Sequence, residues 1–171
     1  MLQQEIPFPF SESATKAMNW LCDQGAFLTT SADGRINTMT IAWGSAGIVM
    51  KKPTLTVFIR ESRYTQELLS TSNEFTVSIP DSKNMFTKLL ACGKQSGRDG
   101  DKIANNQLTL QSAKVVDTPI IAEGTWHLEC KVLLAQPMTA PFIDEECQQE
   151  HWIEDNPYLC YIAEVVACYG K

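Results

Sequence analysis

Cations are scarce in this sequence. Its 171 residues hold 14 Lys and Arg against 20 Asp and Glu, a net charge of −6. General nucleic-acid or membrane-surface binding draws on broad basic patches, so neither partner is expected. Any anion site must then be local and built from a few residues. No apolar stretch approaches the roughly 18 residues of a membrane span. Residues 1–5 carry neither the basic nor the apolar part of a secretory leader, and a cytoplasmic protein is expected. The two histidines, His127 and His151, stand without nearby matched ligands, so no metal site is expected. The six cysteines form no CxxC and no metal-ligand spacing. They read mostly as buried thiols rather than a disulfide framework. Missing as well are the GxGxxG dinucleotide fingerprint, the Walker loop and the GxSxG elbow.

What is present reads as strands with brief helices. Ala14, Ala17, Met18, Leu21 and Cys22 follow the i, i+3, i+4 rule and end before Gly25, predicting a helix over 14–22. Residues 26–31 and 36–43 flank Asp33-Gly34, a hairpin signal. Residues 54–59 and 75–79 read as two more strands. Between them lies a short helix over 65–70, with Thr65 as its expected N-cap. Ser82 opens a further helix through Met85, Phe86, Leu89 and Leu90, ending at Cys92-Gly93. Trp126, Leu128, Cys130 and Val132 alternate with His127, Glu129 and Lys131, predicting a half-exposed strand. Residues 158–169 form a long last strand. The intervening acidic run, with Asp144, Glu145, Glu146, Glu150, Glu154 and Asp155, is expected to be an irregular surface excursion. Strands at short spacing with brief helices suggest one domain over 1–171, a closed or nearly closed β-barrel with helical additions.

Three stretches could carry chemistry. Arg63-Tyr64-Thr65 places a cation and a hydroxyl where a strand ends and a helix begins. Helix N–H groups and a planar guanidinium suit phosphate oxygens there; the plain alternative is a surface Arg beside an ordinary cap. Met39, Thr40, Ile41, Ala42 and Trp43, followed by Gly44 and Gly47, would let a flat ligand approach the backbone. The alternative there is a barrel strand whose Trp43 fills the core. The loop over 93–102 carries Lys94, Arg98 and Lys102 among its glycines and reads either as a phosphate loop or as a solvated one.

Taken in order, Asn37-Thr38-Met39-Thr40-Ile41-Ala42-Trp43, Pro53 with strand 55–59, Arg63-Tyr64-Thr65, Glu74-Phe75-Thr76-Val77, the 92–102 loop and Leu128-Glu129-Cys130-Lys131-Val132 resemble the flavin-reductase-like family of FMN-binding split barrels. The likeness is greatest to its flavoredoxin-type branch and covers about residues 13–135. The resemblance implies a mainly β, six-stranded Greek-key split barrel and a homodimer binding FMN near the subunit interface. It places Met39, Thr40, Ile41, Ala42 and Trp43 along the isoalloxazine. Arg63 and Thr65 would hold the 5′-phosphate, flanked by Arg60, Ser62 and Tyr64, with Arg98 and Lys102 on a polar loop approaching the flavin. It implies an oxidoreductase taking electrons from a small-molecule donor such as NAD(P)H, or exchanging them with a redox protein. No general acid or base is nominated, because the cofactor carries the redox chemistry. A non-catalytic FMN carrier and a flavin-free interaction module remain as other readings. The acidic segment over 144–155 matches no part of the family pattern.

Overall fold

The computed structural model describes residues 4–5, 7–140, 143–151 and 156–170. Helix α1 (Glu12–Gln24) starts where the Ser11 hydroxyl accepts from the Ala14 N–H at 3.1 Å, and it stops at Gly25, whose φ is 92°. Ala14, Ala17 and Leu21 form its buried stripe. A hairpin of β2 (Ala26–Ala32) and β3 (Arg35–Ile41) turns at Asp33 and Gly34, both with positive φ, as a two-residue primed turn requires. A second hairpin, β4 (Gly44–Val49) and β5 (Lys52–Arg60), turns at Met50 and Lys51 with φ of 52° and 63°. The sequence reading contained no counterpart of β4.

Helix α2 (Tyr64–Ser72) follows β5, and Asn73 in the left-handed region ends it. Then come β6 (Glu74–Ile79), a 3-10 turn (Lys83–Met85), α3 (Phe86–Lys94) and the short α4 (Lys102–Asn105). The small strands β7 (Leu110–Gln111) and β8 (Ile120–Ile121) pair with each other. The long strands β9 (Trp126–Pro137) and β10 (Tyr158–Gly170) enclose α5 (Glu145–His151), so the acidic excursion contains a helix. Glu154 and Asp155 of that excursion lie outside the described residues. Strand β1 (Gln4–Glu5) pairs with the end of β10. No helix among the described residues is long and apolar enough to cross a membrane.

The main sheet is antiparallel, with a path of seven strands ordered β3-β2-β6-β9-β10-β5-β4. That exceeds the six strands expected, and the end strands β3 and β4 are not paired with each other among the described residues. Yet Ala42 and Trp43 alone join those two ends. Three Cα steps reach at most about 11 Å, so the sheet must curl until its edges come near each other. Inside the curl lie Leu28, Ile41, Leu55, Val57, Phe75, Val77, Leu128 and Ala163. Residues one position along each strand face the other way; Phe27 meets Leu89, Cys92, Leu108 and Ile121 in a second cluster beneath α3.

The half-exposed reading of β9 is corrected. His127 and Glu129 are both 0% exposed, and only Lys131 of the three polar residues faces solvent. Residues 114–121 fold back over that face of the sheet. The Glu129 carboxylate accepts from the N–H groups of Lys114 (2.7 Å), Val115 (2.7 Å) and Val116 (3.0 Å) and from the Tyr169 hydroxyl (2.6 Å). Burial pushes its pKa up, but these four donors outweigh that and hold it below the usual carboxylate value. The ring of His127 places Nδ1 3.1 Å from the Ser78 hydroxyl, which also accepts from the Ile121 N–H. The thiols follow the expectation in part: Cys92, Cys130 and Cys168 are buried, whereas Cys22 and Cys147 are exposed, and all six cysteines are free.

Candidate functional site

Three elements converge on a cleft of about 220 Å³. Asn37 and Met39 come from β3, residues 62–65 from the turn into α2, and Cys92, Gly93, residues 95–98 and Lys102 from the end of α3 through the loop to α4. Strand β3 is the end of the sheet path, so alternate backbone groups along it point away from β2, with no ladder partner among the described residues.

The start of α2 decides the character of the cleft. Strand β5 ends at Arg60, and the Arg63 N–H turns back to the Arg60 carbonyl at 3.0 Å. Arg63, not Thr65, is therefore the N-cap, and its side chain makes no capping bond. Thr65 sits one residue inside the helix because its backbone is already helical, and its hydroxyl is engaged elsewhere: it accepts from the Asn37 side-chain amide at 2.7 Å. The Gln66 and Glu67 N–H groups return to the Arg63 carbonyl, while those of Tyr64 and Thr65 have no acceptor among the described residues. Two open N–H donors and the positive end of the helix dipole thus meet at the cleft.

The loop supplies cations in two different ways. Arg98 donates to the Ser62 carbonyl at 3.1 Å and to Glu67 Oε2 at 3.0 Å, with its guanidinium 5.2 Å from the Tyr64 ring. It clamps the loop onto α2. Lys102 is only 5% exposed, and among the described residues its ammonium donates to the Cys92 carbonyl at 3.1 Å. Burial lowers its pKa, and the neighbouring Arg63 adds to that while the Cys92 side chain opposes it. Arg63 itself has no carboxylate partner among the described residues. Burial pushes the Cys92 thiol up against the pull of Lys102 and Lys88, which keeps it protonated near neutrality.

Of the residues expected beside a flat ring, Met39 alone lines the cleft, and it also packs against the core. Thr40 faces the other side of β3 and donates to the Leu89 carbonyl of α3. Ile41 points into the core and Ala42 is exposed. Trp43 is 43% exposed rather than a core filler; it stacks on Phe58 at 5.7 Å and meets Tyr158 edge-on at 5.2 Å. Arg60 lies outside the cleft, over the Tyr158 ring at 4.2 Å, and donates to the carbonyls of Asn156 and His151 at the excursion. Ser62, Arg63, Tyr64, Thr65, Arg98 and Lys102 do come together.

Two important positions were not nominated from sequence. Asn37 is a buried polar residue on the core-facing side of a strand, which was the available signal. Gly97 approaches it so closely that a Cβ there would fall 2.1 Å from Asn37 Oδ1 and 2.8 Å from the Tyr64 ring.

The comparisons with known proteins agree with this architecture. The family model for the flavin reductase like domain matches residues 18–170. An uncharacterized protein of Archaeoglobus fulgidus is 30% identical over 116 residues, which cover 68% of this chain and 64% of that protein's length, under two thirds of it. The flavoredoxin from Methanosarcina acetivorans superposes with a TM-score of 0.67 at 24% identity, over 86% of this chain and 68% of that one. An FMN-binding domain of a flavin reductases-like enzyme from Shewanella baltica gives 0.69 at 22% identity, over 99% and 77%. At these identities the two structures speak for the fold, and the family match spans nearly all of it: the chain belongs to the flavin reductase like family.

Proposed function

We propose that this chain binds FMN by its 5′-phosphate at the start of α2 and is an oxidoreductase passing electrons from a reduced donor such as NAD(P)H to an acceptor. The observation that carries the reading is the set of donors gathered on one cleft: the open Tyr64 and Thr65 N–H groups, the Arg63 guanidinium, and the buried Lys102 ammonium, of whose three protons the Cys92 carbonyl takes one. A phosphate monoester is a compact dianion that takes several such donors at once. It would also favour the charged form of Lys102, offsetting the burial that opposes it. Bound FMN would supply the hydride and electron transfer, while the protein binds, orients and sets the electrostatics.

The cleft is about 220 Å³, below the roughly 300 Å³ at which whole-ligand pockets begin. It suits the phosphate end, with the flat ring continuing past Met39 along the unpaired edge of β3. A ring lying there needs cover from outside the chain, which is the support for a homodimer. The same proposal takes residues 1–171 as a single domain whose curled sheet works as a split barrel, in the cytoplasm.

Titration of purified protein with FMN, followed by anaerobic mixing with NADH and NADPH in turn, tests the reading. Saturable binding and bleaching of the flavin absorbance are expected. Protein that shows no saturable FMN binding overturns it. Binding without bleaching by either nucleotide would favour an FMN electron carrier, a second reading that the likeness to a flavoredoxin supports.

A further inference from the structure

We propose that Asn37 is a positioning residue that holds the Thr65 hydroxyl as a donor toward the anion, making the site selective for a phosphate-bearing flavin over riboflavin. The inference rests on the FMN reading and deepens it. A threonine hydroxyl has one proton to donate and lone pairs to accept with. In this structure the Asn37 amide donates to Thr65 Oγ1 at 2.7 Å, so a lone pair is taken and the proton is left over. Thr65 is 1% exposed and lines the cleft, and no acceptor for its proton stands among the described residues. The orientation of the amide is what matters. Turned the other way, Asn37 Oδ1 would accept that proton and withdraw it from any ligand. In the structure the NH₂ end of the amide meets Thr65, and Oδ1 lies on the side of Gly97, where a Cβ would fall 2.1 Å from it.

Asn37→Asp reverses the polarity at almost unchanged shape, because an ionised carboxylate only accepts. FMN affinity is expected to fall about tenfold to a hundredfold, the range of one charge-assisted hydrogen bond, with riboflavin affinity unchanged. As pH falls through the carboxylate range, the new carboxyl group of Asn37→Asp takes up a proton and regains a donor, and FMN affinity should recover. Thr65→Val should show the same selective loss, and Thr65→Ser should retain the wild-type FMN-to-riboflavin ratio. Simple repulsion by a new charge is separated by the double variant: adding Asn37→Asp to Thr65→Val should cost little more than either alone. Full additivity, or equal losses for FMN and riboflavin, overturns the assignment. Should Asn37→Asp not fold, Asn37→Ala serves instead, with a smaller selective loss expected and none counting against the proposal. A wild-type protein that binds FMN no better than riboflavin removes the phosphate reading itself, and this inference with it.

Discussion

Two nests of hydrogen-bond donors lie on this fold, and they differ in who provides the anion. At the first, three consecutive N–H groups of residues 114–116 and the Tyr169 hydroxyl close on the Glu129 carboxylate, so every donor is filled from within the chain. At the second, the N–H groups of Tyr64 and Thr65, the Arg63 guanidinium and the Lys102 ammonium surround a cleft that holds no carboxylate of the described chain. The chemistry of the donors is similar. Where the chain supplies the acceptor, the nest fastens a loop to a sheet; where it does not, the nest is left for a ligand. The two should therefore separate cleanly, one under tests of stability and the other under tests of binding.

The largest effect is expected at the filled nest. Glu129→Ala would remove a carboxylate that is itself 0% exposed and strand three backbone donors and a tyrosine hydroxyl in a partly to fully buried site. Each stranded group costs about 1–3 kcal/mol, so a loss of at least about 3 kcal/mol in chemical denaturation is expected. Acid offers a gentler route to the same bond. The folded pKa of Glu129 is held below its unfolded value, so its stabilisation is present above the unfolded value near about 4.3 and disappears as pH falls through the folded value. Wild-type stability should fall in that window, and Glu129→Gln, lower to begin with, should fall less steeply.

The open nest should respond in the opposite way. Arg63→Ala removes a guanidinium with no carboxylate partner among the described residues, so stability should stay within about 0.5 kcal/mol, as for an ordinary surface substitution. FMN affinity should drop about tenfold to a hundredfold, the range for one charge-assisted contact. A variant that melts early while binding FMN normally would place Arg63 with the fasteners and dissolve the contrast.

How much of this could be read from the chain depends on how local each cause is. The long strands β9 and β10 and the Asp33-Gly34 hairpin show in period-two alternation and turn chemistry. Strand β4 does not, because Gly44, Ser45 and Gly47 have weak strand character and its turn uses Met50 and Lys51, residues that seldom adopt positive φ. It forms by pairing along β5. The faces of His127 and Glu129 were misread for a similar reason: alternation shows that a strand has two sides, not that a distant loop will cover the polar one. At the site, Arg63, Tyr64 and Thr65 were legible from the strand-to-helix junction. The cap assignment failed because Thr65 answers to Asn37, across the fold, rather than to its own helix. Of segment 39–43 only Met39 is found at the cleft, and the other side chains are divided among core, helix and surface, which no local pattern announces.

The smallest effect is expected at Arg60, which sharpens the contrast because it resembles Arg63 in sequence and Glu129 in wiring. It ends β5 only three positions before Arg63, yet its donors go to the Asn156 and His151 carbonyls and its face lies against Tyr158. Those partners belong to the chain, so Arg60 counts among the fasteners, holding the acidic excursion to the sheet. Two hydrogen bonds and a cation–π contact at a half-exposed site are together worth about 1 kcal/mol. Arg60→Ala should lower stability by about that amount and speed hydrogen exchange in the excursion, with FMN affinity changed less than about threefold, or under ~0.7 kcal/mol. A loss of FMN binding matching that of Arg63→Ala would show that a filled donor can still belong to the ligand, and the rule separating the two nests would fail at its nearest test.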